Sequence, residues 1–343
     1  MAVKLKNLKQ QTIVITGASS GIGLTTARMA AKRGARLVLA ARSENALRQL
    51  TDEIRRTGGK AIYVVADVSK QEDVRKIARA AQEAFGGFDT WVNDAGVGIF
   101  GKLEEIKIED MRHLFETNFW GLVYGSLEAV KHLKQRGGAL INIGSTVSER
   151  VVHMQGIYST SKHAVKGFTD ALRMELEADG APVSVTLIKP AAIDTPFPRN
   201  AKNYMDKEAT LPPPVYAPEV VAQAILHCAE VPERDVFAGG GGKGLAALGY
   251  YAPRLADKIM ESSLFVNTQK KNKPARPREV NGLDRPSEHL AERGGYEGHT
   301  MESSLYTQAS LRPIATVALV AGAGLAVAAL VRASQNRQNG ARR

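Results

Sequence analysis

The chain has 343 residues, of which 44% are hydrophobic, and a formal net charge of +11. This apolar content is ample for the core of one large domain or two small ones. A single cysteine, Cys228, excludes an intrachain disulfide, fits a reducing compartment and is typical of a small buried hydrophobe rather than a catalytic thiol. The sequence has no basic helix with interleaved aromatic residues and no zinc-ligand spacing, so we expect neither nucleic-acid binding nor a metal site.

The first predicted element is a phosphate-binding turn. No apolar run at the N-terminus is long enough for a secretory signal, so we expect synthesis in the cytosol without a cleaved leader. A β-rich run over residues 12–16 leads into the sequence G-A-S-S-G-I-G at 17–23, and residues 24–32 follow with a helical pattern. A strand, a glycine-rich turn and a helix N-terminus together cradle a phosphate group. We therefore predict dinucleotide binding here rather than a plain tight turn.

The second predicted strand carries a residue that selects the cofactor. The apolar run 36–42 completes a strand-helix-strand unit and ends in Ala41 and Arg42. An NAD-selective site usually has an acidic residue here, roughly 20 residues beyond the glycines, to bind the ribose hydroxyl. An arginine instead suits a 2′-phosphate through paired, charge-assisted hydrogen bonds. We therefore predict that NADP(H) is preferred over NAD(H); an arginine that is merely solvated at the strand end is the alternative.

The remaining strands and helices alternate along the chain. A third strand, residues 61–68, has Asp67 near its carboxyl end, where we expect it to hold the adenine amino group. Helices are predicted over 44–57, 71–85 and 111–133, and strands over 90–93, 139–144 and 183–188. This alternation indicates an α/β fold, a Rossmann-like doubly wound parallel sheet flanked by helices. We assign it to a single catalytic domain over residues 1–240.

A tyrosine and a lysine lie one helical turn apart in the stretch 156–162. Residues four apart share a helix face, so the head groups of Tyr158 and Lys162 converge if Tyr158 opens a helix. A phenol has an unperturbed pKa of about 10, and lowering it by roughly 3 units needs about 4 kcal/mol, most of which one close cation in a partly dry cleft can supply. Ser145 can hold the oxygen of a carbonyl or alcohol. Such a tyrosine–lysine pair is also common on surface helices, so the surrounding motifs must decide whether this pair is catalytic.

Together these motifs resemble those of the short-chain dehydrogenase/reductase family, over residues 8–238. The resemblance implies that Tyr158 is the general acid/base, that Ser145 polarises the substrate carbonyl, and that Lys162 binds the nicotinamide ribose and lowers the tyrosine pKa. It also implies that Asn118 completes a proton relay. The matching residues are T-G-A-S-S-G-I-G at 16–23, N-x-A-G at 93–96, Asn118, Ser145 and Tyr158-x-x-x-Lys162.

The resemblance further implies hydride transfer between nicotinamide and a ketone, an aldehyde or a secondary alcohol, with the protein supplying position and electrostatics. Thr195 resembles the threonine that contacts the carboxamide. The residues expected at the cofactor are Gly17, Ser19, Ser20, Gly21, Ile22, Gly23, Arg42, Asp67, Val68, Asn93, Ala95, Gly96, Tyr158, Lys162, Pro190, Ile193 and Thr195.

The sequence departs from the family's pattern at two positions. Asp94 stands where the family usually has a second asparagine, which affects a structural hydrogen bond. Ala191 follows Pro190 where the family commonly has glycine, so the backbone at Ala191 must avoid a positive φ. Neither departure removes a catalytic group.

We expect substrate selection from the segments that flank the tyrosine and follow Thr195. The loop 196–218 holds six prolines, which limit helix formation and suggest a shaped rim of the pocket. We interpret His153 as a pocket or surface residue rather than a second base. The predicted substrate residues are Ser145, Val147, His153, Gln155, Tyr158 and Phe197.

The C-terminal quarter is predicted to have four parts. Residues 241–265 form a helical extension that breaks at Pro253, and residues 266–312 form a polar flexible linker. Residues 313–332 form a transmembrane helix, because their eighteen uncharged central residues just span a bilayer core of about 30 Å. Residues 333–343 form a basic tail. Insertion is only marginally favourable, so a helix packed on a partner or a plain apolar tail is the alternative.

The orientation of the predicted span is contested. The arginines that follow it favour a cytoplasmic tail, whereas the cofactor and the missing leader keep the catalytic domain in the cytoplasm. We follow the second argument and predict a single-pass, membrane-associated protein whose basic charge suits anionic lipid.

Our leading functional hypothesis is an NADP(H)-dependent oxidoreductase. It acts on a small carbonyl or alcohol compound, favours lipophilic substrates and assembles as a homo-oligomer. Two alternatives belong to other classes: a non-catalytic nucleotide sensor on the same fold, and a membrane scaffold.

Overall fold

A seven-stranded parallel sheet is the centre of the fold. The computed structural model describes residues 3–287 and 290–312, together with residue 316. The strands lie in the spatial order β7-β6-β5-β4-β1-β2-β3, and each neighbouring pair is parallel, which confirms the predicted doubly wound sheet. Their bounds are β1 Thr12–Thr16, β2 Arg36–Ala41, β3 Lys60–Val65, β4 Thr90–Asn93, β5 Gly138–Ile143, β6 Val183–Pro190 and β7 Asp235–Ala238.

Helices cover both faces of this sheet. Their bounds are α1 Gly21–Lys32, α2 Glu44–Arg56, α3 Gln71–Phe85, α4 Ile108–Phe115, α5 Gly121–Arg136, α6 Gly156–Ala178, α7 Phe197–Asn200, α8 Pro218–Cys228, α9 Gly240–Tyr251, α10 Pro253–Glu261, α11 Ser263–Asn267 and α12 Leu305–Leu311. The core on one face includes residues of α1, α2 and α8, and the core on the other includes residues of α3, α5 and α6. Because α10 begins at Pro253, the helix break predicted there is confirmed.

The strands are apolar on both faces because helices pack on each. Along β1, Ile13 and Ile15 belong to the core beside α1, whereas Val14 belongs to the core beside α3. Trp91 in β4 is fully buried in the second of these cores. Two covered faces explain why the strands read in the sequence as nearly continuous apolar runs. Cys228 at the end of α8 is buried in the first core, as predicted.

The strand order reverses at β1, which lies between β2 and β4. At such a switch point a crevice opens outside the carboxyl ends of the strands, and ligands of open α/β sheets bind there. The hydroxyl of Thr16, at the end of β1, accepts hydrogen bonds from the amides of Asp94 and Ala95, each at 3.2 Å. These bonds hold the turns that follow β1 and β4 side by side, so both turns border the crevice.

The segment 266–312 differs from the polar linker that its composition predicts. Lys270–Pro274 pairs with Lys207–Ala209 as a short antiparallel ladder, and Thr300–Met301 pairs with Val215–Tyr216. Leu283 has no exposed surface. Composition indicates whether a segment can form a hydrophobic core by itself. This segment instead packs apolar side chains against the catalytic domain and forms backbone hydrogen bonds with it.

The predicted transmembrane helix lies almost entirely outside the described residues, as does the basic tail over 333–343. Within the part of the chain that the structure describes, no helix is long and apolar enough to cross a membrane.

Truncation of Leu283 tests the packing of the C-terminal segment. The Leu283→Ala variant should lower the free energy of unfolding by about 2–4 kcal/mol, because it removes buried apolar atoms and leaves a cavity. Val280 is 60% exposed in the same segment, so Val280→Ala should change that free energy by less than about 0.5 kcal/mol. Urea unfolding of both variants measures the difference. Equal effects would mean that the segment is not packed as described.

Candidate active site

The glycine-rich turn after β1 forms the floor of a cleft at the switch point. Gly17 has φ +74°, and a Cβ there would lie 2.9 Å from the backbone of Ala95. A Cβ at Gly23 would lie 2.4 Å from the carbonyl oxygen of Gly17. Both positions therefore require glycine, and α1 can begin at Gly21 directly against the turn. The first amides of a helix have no intrahelical acceptor, so a helix start can bind an anion; here the amide of Gly21 already donates to the carbonyl oxygen of Ala291.

The cleft above this turn is open to solvent and has an overall volume of about 1010 Å³. The amides at the start of α1 and the guanidinium of Arg42 are groups that bind phosphate, so the cleft suits a dinucleotide. Most of the predicted cofactor residues line it, namely Gly17, Ser19, Ser20, Gly21, Ile22, Arg42, Asp67, Val68, Ala95, Gly96 and Thr195.

Two predicted cofactor residues, Gly23 and Asn93, line neither this cleft nor the cavity beside it. Gly23 lies beneath the turn and allows α1 to approach β1. The side chain of Asn93 accepts a hydrogen bond from Trp91 Nε1 at 2.8 Å and donates one to Asn142 Oδ1 at 2.9 Å. Because residues two apart on a strand share a face, Asn93 points with Trp91 into the protein interior and not into the cleft. Asn93 is thus a structural residue, contrary to our prediction.

A second cavity, of about 1240 Å³, adjoins the cleft. Ile22, Gly96, Thr195 and Phe197 line both spaces, so a ligand in one can touch a ligand in the other. We call this second space the catalytic cavity. The predicted site residues on its wall are Ser145, Val147, Gln155, Tyr158, Lys162, Pro190, Ile193, Thr195 and Phe197.

Tyr158 and Lys162 lie on one face of α6, as their spacing predicts. The helix begins at Gly156, and both side chains line the catalytic cavity. The ammonium of Lys162 lies 5.8 Å from the centroid of the Tyr158 ring and donates a hydrogen bond to the carbonyl oxygen of Ile143 at 2.8 Å. The side chain of Phe197 packs beside the tyrosine, with ring centroids 5.1 Å apart.

Ser145 is held against the tyrosine by the short turn that it begins. Its Oγ accepts a hydrogen bond from the amide of Val147 at 3.2 Å, and its own amide donates one to Ser148 Oγ at 3.1 Å. The same hydroxyl lies close enough to the phenol of Tyr158 to favour a lower pKa there. Both hydroxyl-bearing side chains line the catalytic cavity.

The charges around Tyr158 differ from our expectation. Burial raises the pKa of its phenol above the usual value, the nearby hydroxyl of Ser145 opposes this rise, and the negative charge of Asp94 adds to it. Burial also lowers the pKa of Lys162, against the attraction of Asp94. The cost of desolvating a phenolate thus outweighs the predicted effect of the cation, and Tyr158 keeps its proton.

Asn118 lies in a π-helical turn, Glu116–Trp120, that joins α4 to α5. We predicted one continuous helix here; such turns occur frequently at functional sites. The Asn118 side chain accepts from the amide of Val97 at 2.8 Å and donates to Val97 O at 2.9 Å and Ser161 Oγ at 3.2 Å. It therefore fixes the loop after β4 to α6 beside Lys162. Its part in a proton relay stays a prediction.

The wall of the catalytic cavity is largely apolar. His153, which we predicted to face the substrate, is exposed and does not line the cavity, whereas its neighbours Val152 and Gln155 do. The backbone turns at Met154, which has φ 67°, so residues 152 and 155 rather than 153 face inward. The loop 196–218, predicted as a rim of the pocket, supplies Leu211, Pro212, Pro213 and Pro214. Leu245 and Phe265, which local patterns did not identify, complete the wall.

Asp94 places a carboxyl group between the cofactor turn and Lys162. It accepts a hydrogen bond from the amide of Gly23, and a Cβ on that glycine would lie 2.7 Å from Asp94 Oδ2. Burial raises the pKa of Asp94 to about 7, although the positive charge of Lys162 and the Gly23 amide oppose this shift. An asparagine, which the family usually has at this position, has no titratable side chain.

Replacement of Asp94 tests this buried carboxyl. Because its folded pKa is raised, the folded state binds a proton that the unfolded state has released between about pH 4 and pH 7. Wild-type stability should therefore fall, relative to Asp94→Asn, by about 2 kcal/mol as the pH rises from about 5 to about 7. Denaturant unfolding of both proteins at several pH values measures this. Parallel pH profiles would contradict the assignment.

A family model of the short chain dehydrogenases matches residues 11–206. The chain is 50% identical over 323 residues to the uncharacterized oxidoreductase YxnA of Bacillus subtilis (strain 168), with 93% of this chain and 90% of the relative covered. It is 39% identical over 187 residues to the 11-beta-hydroxysteroid dehydrogenase A of Sesamum indicum, with 54% of this chain and 53% of that relative covered.

Solved structures resemble the chain as well. A short chain dehydrogenase/reductase from Burkholderia phymatum in complex with NAD has a TM-score of 0.64 and 28% identity, with 74% of this chain and 96% of that one covered. A short chain dehydrogenase from Burkholderia cenocepacia J2315 in complex with NADP has a TM-score of 0.63 and 25% identity, with 75% and 100% covered. With the family model matching more than half of its length, the chain belongs to the short-chain dehydrogenase family of oxidoreductases.

Proposed function

We propose that the protein is an NADP(H)-dependent oxidoreductase that transfers a hydride between the nicotinamide and a bulky, apolar ketone, aldehyde or secondary alcohol. The observation that carries this proposal is the position of Tyr158, Ser145 and Lys162. These side chains line an apolar cavity that shares a wall with the dinucleotide cleft. A substrate carbonyl can therefore reach both the phenol and a bound nicotinamide.

The residues have distinct parts in this reaction. The bound nicotinamide supplies the hydride that forms the new C–H bond at the carbonyl carbon, or accepts it in the reverse direction. The Tyr158 hydroxyl donates its proton to the carbonyl oxygen as the double bond becomes a single bond. Ser145 donates a hydrogen bond to the same oxygen and stabilises its developing negative charge. The positive charge of Lys162 stabilises the phenolate that remains.

The preference for NADP(H) rests on Arg42. This residue follows β2 in place of an acid and lines the cleft. Its terminal nitrogens donate hydrogen bonds to the carbonyl oxygens of Gly282, Leu283 and Arg285. In the part of the chain that the structure describes, its Nε–H has no acceptor, which leaves it for the 2′-phosphate. The complexes of similar structures with NAD and with NADP support a nicotinamide cofactor of either kind.

The apolar class of substrate rests on the lining of the catalytic cavity. Val147, Val152, Leu245 and Phe265 supply aliphatic and aromatic surface, and few polar groups besides the catalytic ones reach it. Apolar walls bind a ligand by removing its apolar area from water, by about 25 cal/mol for each Å². The name of the hydroxysteroid dehydrogenase relative, which denotes a bulky apolar substrate, supports the same class.

Attachment to a membrane through residues 314–331, a cytoplasmic catalytic domain and assembly as a homo-oligomer stay predictions. A lipophilic substrate would be consistent with such attachment.

Removal of the phenolic hydroxyl tests the catalytic assignment. The Tyr158→Phe variant should lose at least about a thousandfold in kcat, because it has no proton to donate, and should bind NADPH as well as the wild type does. Turnover is measured with NADPH and carbonyl compounds of increasing apolar size. Binding is measured by NADPH fluorescence without substrate.

Tyr250 is 80% exposed and provides the matched control. Tyr250→Phe should retain full turnover. If Tyr158→Phe retained it as well, the proposed mechanism would be wrong.

A second substitution tests the cofactor preference. The Arg42→Ala variant should weaken NADPH binding by about tenfold or more relative to NADH, because the charge of Arg42 and the hydrogen bond of its Nε–H to the 2′-phosphate are lost. Arg48 is exposed on α2 and bonds Asn45, so Arg48→Ala is the control and should leave the ratio of the two dissociation constants unchanged. Titration of each nucleotide against the three proteins gives this ratio. An equal effect of Arg42→Ala on both nucleotides would remove the basis for NADP preference.

A further inference from the structure

Part of the C-terminal segment runs along the dinucleotide cleft. We call residues 280–287 and 290–296 the C-terminal strap. Gly282, Pro286 and Ser287 of the strap line the cleft together with the glycine-rich turn and Arg42. The strap contacts the catalytic domain at three places, which follow one another along the cleft.

The first contact lies at Arg42, where we place the adenosine end of the cofactor. The guanidinium donates to the carbonyl oxygens of Gly282, Leu283 and Arg285. Leu283 is fully buried with residues of the catalytic domain, among them Val97 and Ile99. This end of the strap is thus held by polar contacts and by apolar packing.

The second contact lies at the glycine-rich turn. The amide of Gly21 donates a hydrogen bond to the carbonyl oxygen of Ala291 at 2.8 Å. The next residue of the strap, Glu292, forms an ion pair with Arg28 of α1 at 2.7 Å. The strap therefore passes the start of α1, where the pyrophosphate of a dinucleotide is expected to lie.

The third contact lies beside Thr195, at the catalytic end of the cleft. Oδ1 of Asp194 accepts hydrogen bonds from the amides of Gly294 at 3.0 Å and Tyr296 at 3.1 Å. A Cβ at Gly294 would lie 2.2 Å from the carbonyl oxygen of Thr195, so the strap approaches this backbone as closely as only glycine allows. Asp194 is 7% exposed, so water competes little for these bonds.

The strap forms part of the wall of the cleft. The glycine-rich turn and the strap line it from different elements, so a nucleotide bound in the cleft would contact both. A nucleotide in that space cannot leave across the strap while the three contacts persist. We propose that the C-terminal strap is a wall of the cofactor site that retains the bound nicotinamide cofactor, so that opening of the strap limits cofactor release. This inference rests on the proposed cofactor binding but not on the substrate or on the NADP preference.

A bulky side chain at the closest contact tests the inference. The Gly294→Val variant in the full chain should displace the strap from Thr195 and speed NADPH release by about tenfold or more, which corresponds to about 1.4 kcal/mol of lost contact. Release is measured by stopped-flow fluorescence when excess NADP⁺ displaces bound NADPH, without substrate. Affinity for NADPH should fall in parallel.

Two further variants make the result decisive. Asp194→Ala removes the acceptor of the third contact and should also speed release, even if Gly294→Val proves unstable. A Cβ at the adjacent Gly295 meets no atom within 4 Å, and asparagine tolerates its φ of +70°, so Gly295→Asn is the control and should release NADPH at the wild-type rate.

Other results would overturn the inference. Wild-type release rates in both Gly294→Val and Asp194→Ala, with melting curves that show folded protein, would mean that the strap does not retain the cofactor. Tighter NADPH binding in these variants would mean that the strap competes with the cofactor instead. If the wild type bound neither NADPH nor NADH, the proposed function would fail together with this inference.

Discussion

The ammonium of Lys162 is the group on which the arrangement of the site depends. A lysine charge buried in a protein costs several kcal/mol unless nearby groups replace the lost water. Here the carbonyl oxygen of Ile143 accepts its hydrogen bond, and Asp94 supplies the opposite charge. Ile143 is the last residue of β5 and Asp94 follows β4, so both partners come from the carboxyl edge of the sheet. The sheet thus fixes the position of the cation, 5.8 Å from the centroid of the Tyr158 ring.

Helix α6 lies close to both ligand spaces. Tyr158 and Lys162 project from it into the catalytic cavity, which shares lining residues with the dinucleotide cleft. Burial keeps the phenol protonated, which suits donation to a carbonyl oxygen. In the opposite direction the phenol must first lose that proton, and both burial and the negative charge of Asp94 oppose this loss by raising the pKa of Tyr158.

Features encoded by residues close in sequence were predictable, whereas features that join distant segments were not. The glycine-rich turn and the four-residue spacing of Tyr158 and Lys162 determine local geometry directly, and the structure has both as expected. The alternation of elements likewise identified the doubly wound sheet. His153 was misplaced because a positive φ at Met154 changes which neighbours face inward, and sequence alone does not give that angle. Asn93 was misplaced because a motif shows which residues recur, not the face of the strand on which each side chain lies.

The C-terminal segment shows the same limit most clearly. Its charge, glycine and proline content predicted a polar flexible linker, whereas the structure pairs and packs the segment against the catalytic domain. What composition cannot show is that a folded surface elsewhere in the chain supplies the missing partners. Phe265, directly before the segment, lies on the wall of the catalytic cavity, and Pro286 of the segment lies on the wall of the cofactor cleft. The ladder formed by Lys270–Pro274 lies between them in the chain. One covalently continuous piece of chain therefore borders both ligand spaces, so a change in its docking alters the surroundings of substrate and cofactor together.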